Sequence, residues 1–170
     1  YNTLAALGKE RGEKMKYTKV IFTKIPPEVC KAQRRFYDCR VKKAFIKYLA
    51  YTGWFDGVLM DTEVDRAKQG YLPPDLDIHH IFPLSGSESA EVHSFTNLTV
   101  LHKSTHLAIN RQIFYPQLKD VGEMAVGEQR EIIIPVFKPV DAGRIIALRA
   151  RQTRAPWQML KKVSLAGYAR

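Results

Sequence analysis

The stretch DLDIHHIFPLSGSESAEVHSFTNLTVLHKSTHLAIN, residues 75–110, holds every histidine of the chain: His79, His80, His93, His102 and His106. LDIHHIF has the composition of a strand, and Pro83 closes it. After a polar loop from Ser85 to Ser94, FTNLTVL reads as a second strand, and HKSTHLAINRQIF reads as a helix that Pro116 ends. Strand, loop, strand, helix is a ββα unit, and the class predicted for the whole chain is α+β. Successive side chains of a strand face opposite ways, so His79 and His80 are expected to serve different surroundings. On the helix His106 and Asn110 are spaced i, i+4 and share a face. A divalent ion held between strand and helix would take His79 from the first and His106 from the second, with Asn110 as a third candidate. So small a ligand set leaves positions open to water and phosphate oxygens, which favours catalysis over a structural role.

Outward from this unit, KVIFTKI (19–25) alternates as a strand does, and Pro26 and Pro27 stop it and open a helix. That helix, EVCKAQRRFYDCRVKKAFIKYLAYTG, carries Val41, Phe45, Tyr48 and Leu49 at helical spacing, and Gly53 ends it. Its other face is basic: Lys31, Arg34, Arg35, Arg40, Lys42, Lys43 and Lys47 stand against one acid, Asp38. A charge run of this kind is either a solvated helix face or a grip on a phosphate backbone; Phe36 and Tyr37, interleaved with it, favour nucleic-acid contact. A short helix is expected around Asp61 to Lys68. Gly70, Pro73 and Pro74 break the chain before the histidines. Beyond them EIIIPVF reads as a strand, with Pro135 at an edge or bulge. From Arg144 onward the chain holds seven positive residues and no acid. Arg149, Arg151 and Arg154 are the candidates there for a second phosphate-contacting surface.

The 170 residues suit one domain: a helical basic flank (1–70), the ββα unit (71–116) and a basic C-terminal flank (117–170). With 27 Lys and Arg against 17 Asp and Glu the formal net charge is +10, which points to a polyanionic partner. No apolar run approaches the roughly 20 residues needed to span a bilayer. An opening on Tyr1, with no signal-peptide pattern, is the expectation for a domain cut from a longer protein. Cys30 and Cys39 are the only cysteines, and with no Cys-x-x-Cys pair they read as ordinary thiols.

DIHHIFPLSG, FTNL and HKSTHLAIN together resemble the HNH, or His-Me finger, nuclease motif: a histidine on the first strand, an asparagine at the second, and a metal-binding histidine nine residues after that asparagine, the interval from Asn97 to His106. The His-His form is similar to that of colicin-type DNase toxins. The resemblance covers residues 71–115 and implies a ββα-metal core. It makes His80 the general base that takes a proton from the attacking water, a role suited to an unperturbed pKa near 6.5. His79 and His106 become the metal ligands, Asn97 the residue that pins the loop and orients the base, and Asp77 an acidic partner that holds an imidazole in its tautomer. The chain departs from the colicin pattern at Asn110, where that branch has a further histidine, and at Gly86-Ser87, where Gly-Gly is usual. It also lacks the paired Cys-x-x-Cys bracing of many HNH proteins. His93 is a candidate phosphate contact, and His102 a structural or phosphate-side residue.

The function this implies is a DNA endonuclease with weak sequence preference, since no groove-reading element is evident. Its cofactor would be one divalent ion, Mg²⁺ in use, with Zn²⁺, Ni²⁺ or Mn²⁺ as alternatives. The expected setting is the toxin domain of a secreted or delivered bacterial effector, acting in the target-cell cytoplasm and paired with an acidic immunity protein. A phage or mobile-element HNH endonuclease and a non-catalytic nucleic-acid-binding module with a structural metal are the competing readings.

Overall fold

A computed structural model of the chain describes residues 15–152. The class is mixed α+β, as expected, and its sheets are two antiparallel pairs. The first joins distant parts of the sequence: β1 (Lys16–Thr23) lies against β4 (Gln129–Val136), with Lys16 opposite Val136 and Thr23 opposite Gln129. A two-stranded sheet has an outer edge on each strand, and there Pro135 can lack an N–H without breaking a ladder. Gln117 fastens to that sheet from a helix, accepting from the Ile133 N–H at 2.7 Å and donating to the Ile133 carbonyl at 2.9 Å.

α1 (Pro27–Phe36) starts on Pro27, at a position where a helix has no use for an N–H. It runs through a π-type turn, Tyr37–Val41, into α2 (Lys42–Tyr51), and Gly53, with φ 78°, closes the helical path. Tyr37, Val41, Phe45 and Leu49 are buried along one side, while Arg34, Arg35, Lys42 and Lys43 stay exposed. Tyr48, expected on the apolar stripe, is 43% exposed. α3 (Asp61–Lys68) follows, with the bounds the sequence suggests.

β2 (Leu76–His80) and β3 (Leu98–His102) pair with Ile78 opposite Val100 and His80 opposite Leu98. Strand alternation then divides this hairpin between two cores. Leu76, Ile78, Leu98 and Val100 join Val41, Phe45 and Leu49 of the helices. On the other face Leu101 joins Phe22 and Ile132 from the β1–β4 pair, together with Ile109 and Phe114. Leu84 to Gly86, Ala90 to His93 and Phe95 to Asn97 form single 3₁₀ turns in the segment between the strands.

α4 (Lys103–Ile109) leaves β3 without a linker because His102 is its N-cap: the Ser104 N–H donates to His102 Nδ1 at 3.2 Å. Pro116 does not end the helical path as the sequence suggests. A π-type turn, Asn110–Phe114, re-registers the chain, and Pro116 falls in the first turn of α5 (Tyr115–Gly122), where its missing donor costs nothing. The helical part of the ββα unit therefore passes the boundary drawn at 116. Residues 142–152 are helical, and Arg154 and the remainder of the basic C-terminal run lie outside the described residues. Cys30 and Cys39 are free thiols. Among the described residues no helix is long and apolar enough to cross a membrane.

Candidate active site

The β2–β3 register fixes which side each polar residue of β2 takes. Asp77 and His79 lie on the α4 side of the hairpin, and His80 on the opposite side, towards α1. The His79 ring, 5% exposed, meets the His106 ring edge-on at a centroid distance of 4.9 Å. Phe114 and Phe137 enclose it, with ring centroids at 5.3 and 6.2 Å. His106 reaches the same place from α4, and its Nδ1–H donates to Asp77 Oδ2 at 2.9 Å. A proton fixed on Nδ1 leaves Nε2 of His106 with its lone pair. Nε2 of His79 is buried with no partner, a state that costs free energy unless something fills it.

Burial, reinforced by His106 and His80, pushes the His79 pKa down to about 3, so the ring is neutral at physiological pH. Burial of Asp77 opposes its ionisation, but the hydrogen bond and charge of His106 and the Ile78 N–H hold the carboxyl below its ordinary value. The neutral imidazole of His79, and the His106 ring with an ionised carboxylate behind it, form a donor set suited to a divalent cation. Asn110, half-buried, follows His106 by one turn. Among the described residues no three His, Cys, Asp or Glu side chains converge into a ligand cluster.

His80 packs on the Tyr37 ring at a centroid distance of 4.5 Å. Tyr37 is a residue that the sequence reading misplaces: it was expected in the nucleic-acid contact beside Phe36, yet it is 5% exposed. Its i, i+4 relation to Val41, and theirs to Phe45, was the available signal, since that spacing makes an apolar stripe from which Phe36 is excluded. The phenol is pushed well above its usual range by burial, then by Asp77 and Asp38, and stays neutral. His80 departs from the unperturbed value expected of it. Burial, Arg34, His93 and His106 lower its pKa to about 4, so the ring is fully neutral near pH 7 and a weaker base than a free imidazole. Its Nε2 is also buried without a partner.

Asn97 closes the segment that joins the two strands. The Phe82 N–H donates to its Oδ1 at 2.7 Å, and its Nδ2 donates to the carbonyls of Phe82 and Val92 at 3.1 and 2.9 Å. The Asn97 carbonyl accepts from the Ile81 N–H at 2.9 Å, so the residues directly after the His-His pair are held by one side chain and its own backbone. Gly86, in the same segment, is a close-approach position: a Cβ there would lie 2.6 Å from the Phe22 ring of β1.

The candidate cations divide. Arg34, Arg35, Lys42 and Lys43 are exposed, and Arg34 is near enough to depress the His80 pKa. Arg149, expected at a phosphate, is instead clasped by two carboxylates: Nε donates to Asp75 Oδ2 and Nη1 to Glu63 Oε2, each at 2.8 Å. Those bonds tie residues 142–152 to α3 and to the approach of β2, so Arg149 serves the fold. Arg151 is exposed. His102 is the helix cap already described. His93 stands edge-on to Phe36 at 5.1 Å, with its pKa lowered by burial. No protein-family model, curated protein or solved structure matches the chain.

Proposed function

We propose that the chain is a divalent-metal-dependent endonuclease of the His-Me finger type that hydrolyses DNA phosphodiester bonds with little sequence preference. The observation that carries this reading is the partnerless buried Nε2 of His79 beside His106, whose other nitrogen Asp77 holds. A site that keeps the His79 lone pair buried and unpartnered beside a second imidazole is expensive unless a cation uses it. His79 and His106 would hold the ion, with Asn110 the candidate third group, and water and phosphate oxygens would complete the set. When bound, the ion supplies Lewis acidity to the phosphoryl group and stabilises charge on the leaving 3′ oxygen.

The chain's own residues divide the remaining work. His80, on the other side of the strand, takes the proton from the attacking water on Nε2 as the new P–O bond forms and the bond to the 3′ oxygen breaks. Tyr37 fixes the ring of that base, and Asn97 fixes the backbone that follows it. Asp77 sets the tautomer of His106. The exposed Arg34, Arg35, Lys42 and Lys43 supply the sequence-independent grip on the backbone. In this reading the hairpin and α4 are a ββα-metal core. The basic, DNA-cleaving domain is the toxic part of a delivered bacterial effector, and an acidic immunity protein is its natural inhibitor.

Supercoiled plasmid incubated with the protein and Mg²⁺, Mn²⁺, Zn²⁺ or Ni²⁺ tests the reading. Nicking that chelator abolishes is expected. His80→Ala should reduce it by about 10²–10⁴-fold while circular dichroism and metal binding stay unchanged. Full activity in that variant removes the mechanism, and no nicking with any of the ions removes the function.

A further inference from the structure

Phe36 and Tyr37 are consecutive residues at the junction of α1 and the π-type turn, and each meets a different histidine: Tyr37 is against His80, Phe36 against His93. The Tyr37 side belongs to the catalytic arrangement proposed above. The Phe36 side opens on a surface groove of about 520 Å³ whose walls include Phe36, Val41, His93 and Phe95, with Arg40 the single cation of fixed charge and Glu91 the single acid among its lining residues. Its lining is mostly apolar, yet it includes Arg40 and lies along a helical run rich in exposed cations. Phe36 is 53% exposed, and His93 Nδ1 is a buried polar atom with no partner. Phe95 packs against Phe45 and Tyr48, at ring centroid distances of 5.2 and 5.1 Å.

We infer that this groove is a nucleobase subsite, which takes one unstacked base of a DNA strand immediately beside the phosphate presented to His80. The inference rests on the nuclease reading for its position, and on the groove's own chemistry for its occupant. Aromatic walls receive the π-face of any base, Arg40 stacks or pairs with the adjoining phosphate, and the orphaned His93 nitrogen gains a partner from a base edge. Arg34, Arg35, Lys42 and Lys43, the cations proposed to hold the backbone, are exposed residues of the same helical run that carries Phe36 and Arg40. A base stacked in continuous duplex cannot enter such a groove without paying for unstacking. Single-stranded or frayed DNA is therefore the preferred substrate, and duplex is engaged through its phosphates alone.

Fluorescence anisotropy in chelator separates the two modes. The probes are a short labelled DNA strand, the same strand annealed into duplex, and the same strand bearing abasic sites. The unmodified strand should bind most tightly. Phe36→Ala should lose about tenfold in affinity for it, with little change for duplex or abasic DNA, and Phe36→Trp should restore the preference. Phe36 is half exposed, so its removal opens no core cavity, and Arg40→Ala gives a second perturbation of the same groove. Equal losses on all three DNAs, or none, overturn the assignment and leave the groove to a protein partner. Since binding is read without cleavage, a protein that nicks nothing yet shows this pattern keeps the subsite and loses the nuclease reading. An active nuclease without the pattern loses only the subsite.

Discussion

Asn97 gathers three side-chain hydrogen bonds and two backbone bonds in the segment after the His-His pair. Asn97→Ala deprives the Phe82 N–H and two carbonyls of their partners in a half-buried setting, which should lower stability by about 1–3 kcal/mol in a urea titration. The loss of nicking should exceed what that destabilisation alone explains, because the backbone beside His80 is released. At Asp77 the expected outcome is different. Asp77→Ala frees the His106 ring to rotate and change tautomer, so affinity for Zn²⁺ read by calorimetry should drop about 10–100-fold. An unchanged metal affinity would mean that His79 and His106 are not a ligand pair.

The Arg149 clasp makes its prediction at the level of the elements. It joins residues 142–152 to α3 and to the chain entering β2, and burial of Asp75 is outweighed by Arg149, which keeps the carboxyl ionised below its ordinary pKa. Arg149→Met strips Asp75 and Glu63 of the guanidinium they share and should cost about 2 kcal/mol, a reduced figure for partly exposed partners. DNA binding in the folded variant should be unaltered, unlike the loss expected for Arg34→Ala on the open face. Elements were legible where a local pattern decides them: the Pro-Pro start of α1, the bounds of α3, the two strands of the hairpin. The separation of His79 from His80 was equally readable, since strand alternation alone sets them apart. What a sequence could not supply was non-local. Arg149 looked like a free cation because its carboxylates lie 74 and 86 residues away. For Tyr37 the i, i+4 spacing to Val41 did signal burial, but its packing on His80 exists only in the tertiary fold. Pro116 looked like a helix end because nothing local announces a π-type turn.

For the molecule as a whole, the buried His79 and the half-buried His80 set the acid limit of stability. The folded-state pKa of His79 is about 3 and that of His80 about 4, both below the ordinary histidine value. Between these values and about 6.5 the unfolded chain binds more protons than the folded one, so stability is full above about 6.5 and falls as pH drops. The upper bound is about 1.4 kcal/mol per pH unit for each histidine. Urea midpoints of the metal-free protein should therefore decline from pH 6.5 to pH 4, and His80→Asn should flatten the slope. A midpoint constant across that range would place both rings in solvent-accessible surroundings.

The pairing of β1 with β4 has a further consequence, in time rather than in space. One core of the hairpin needs Phe22 from β1 and Ile132 and Ile134 from β4, strands whose register joins Lys16 to Val136. At 5–20 residues per second, the last of β4 emerges on the order of ten seconds after β1. Through that interval Leu101, Ile109 and Phe114 lack the wall they fold against, and contacts of such long sequence separation form late. The histidines are thus already made while the scaffold that brings them together is not. A nascent chain carries the ingredients of the site without the site, which is complete only after synthesis has passed Val136.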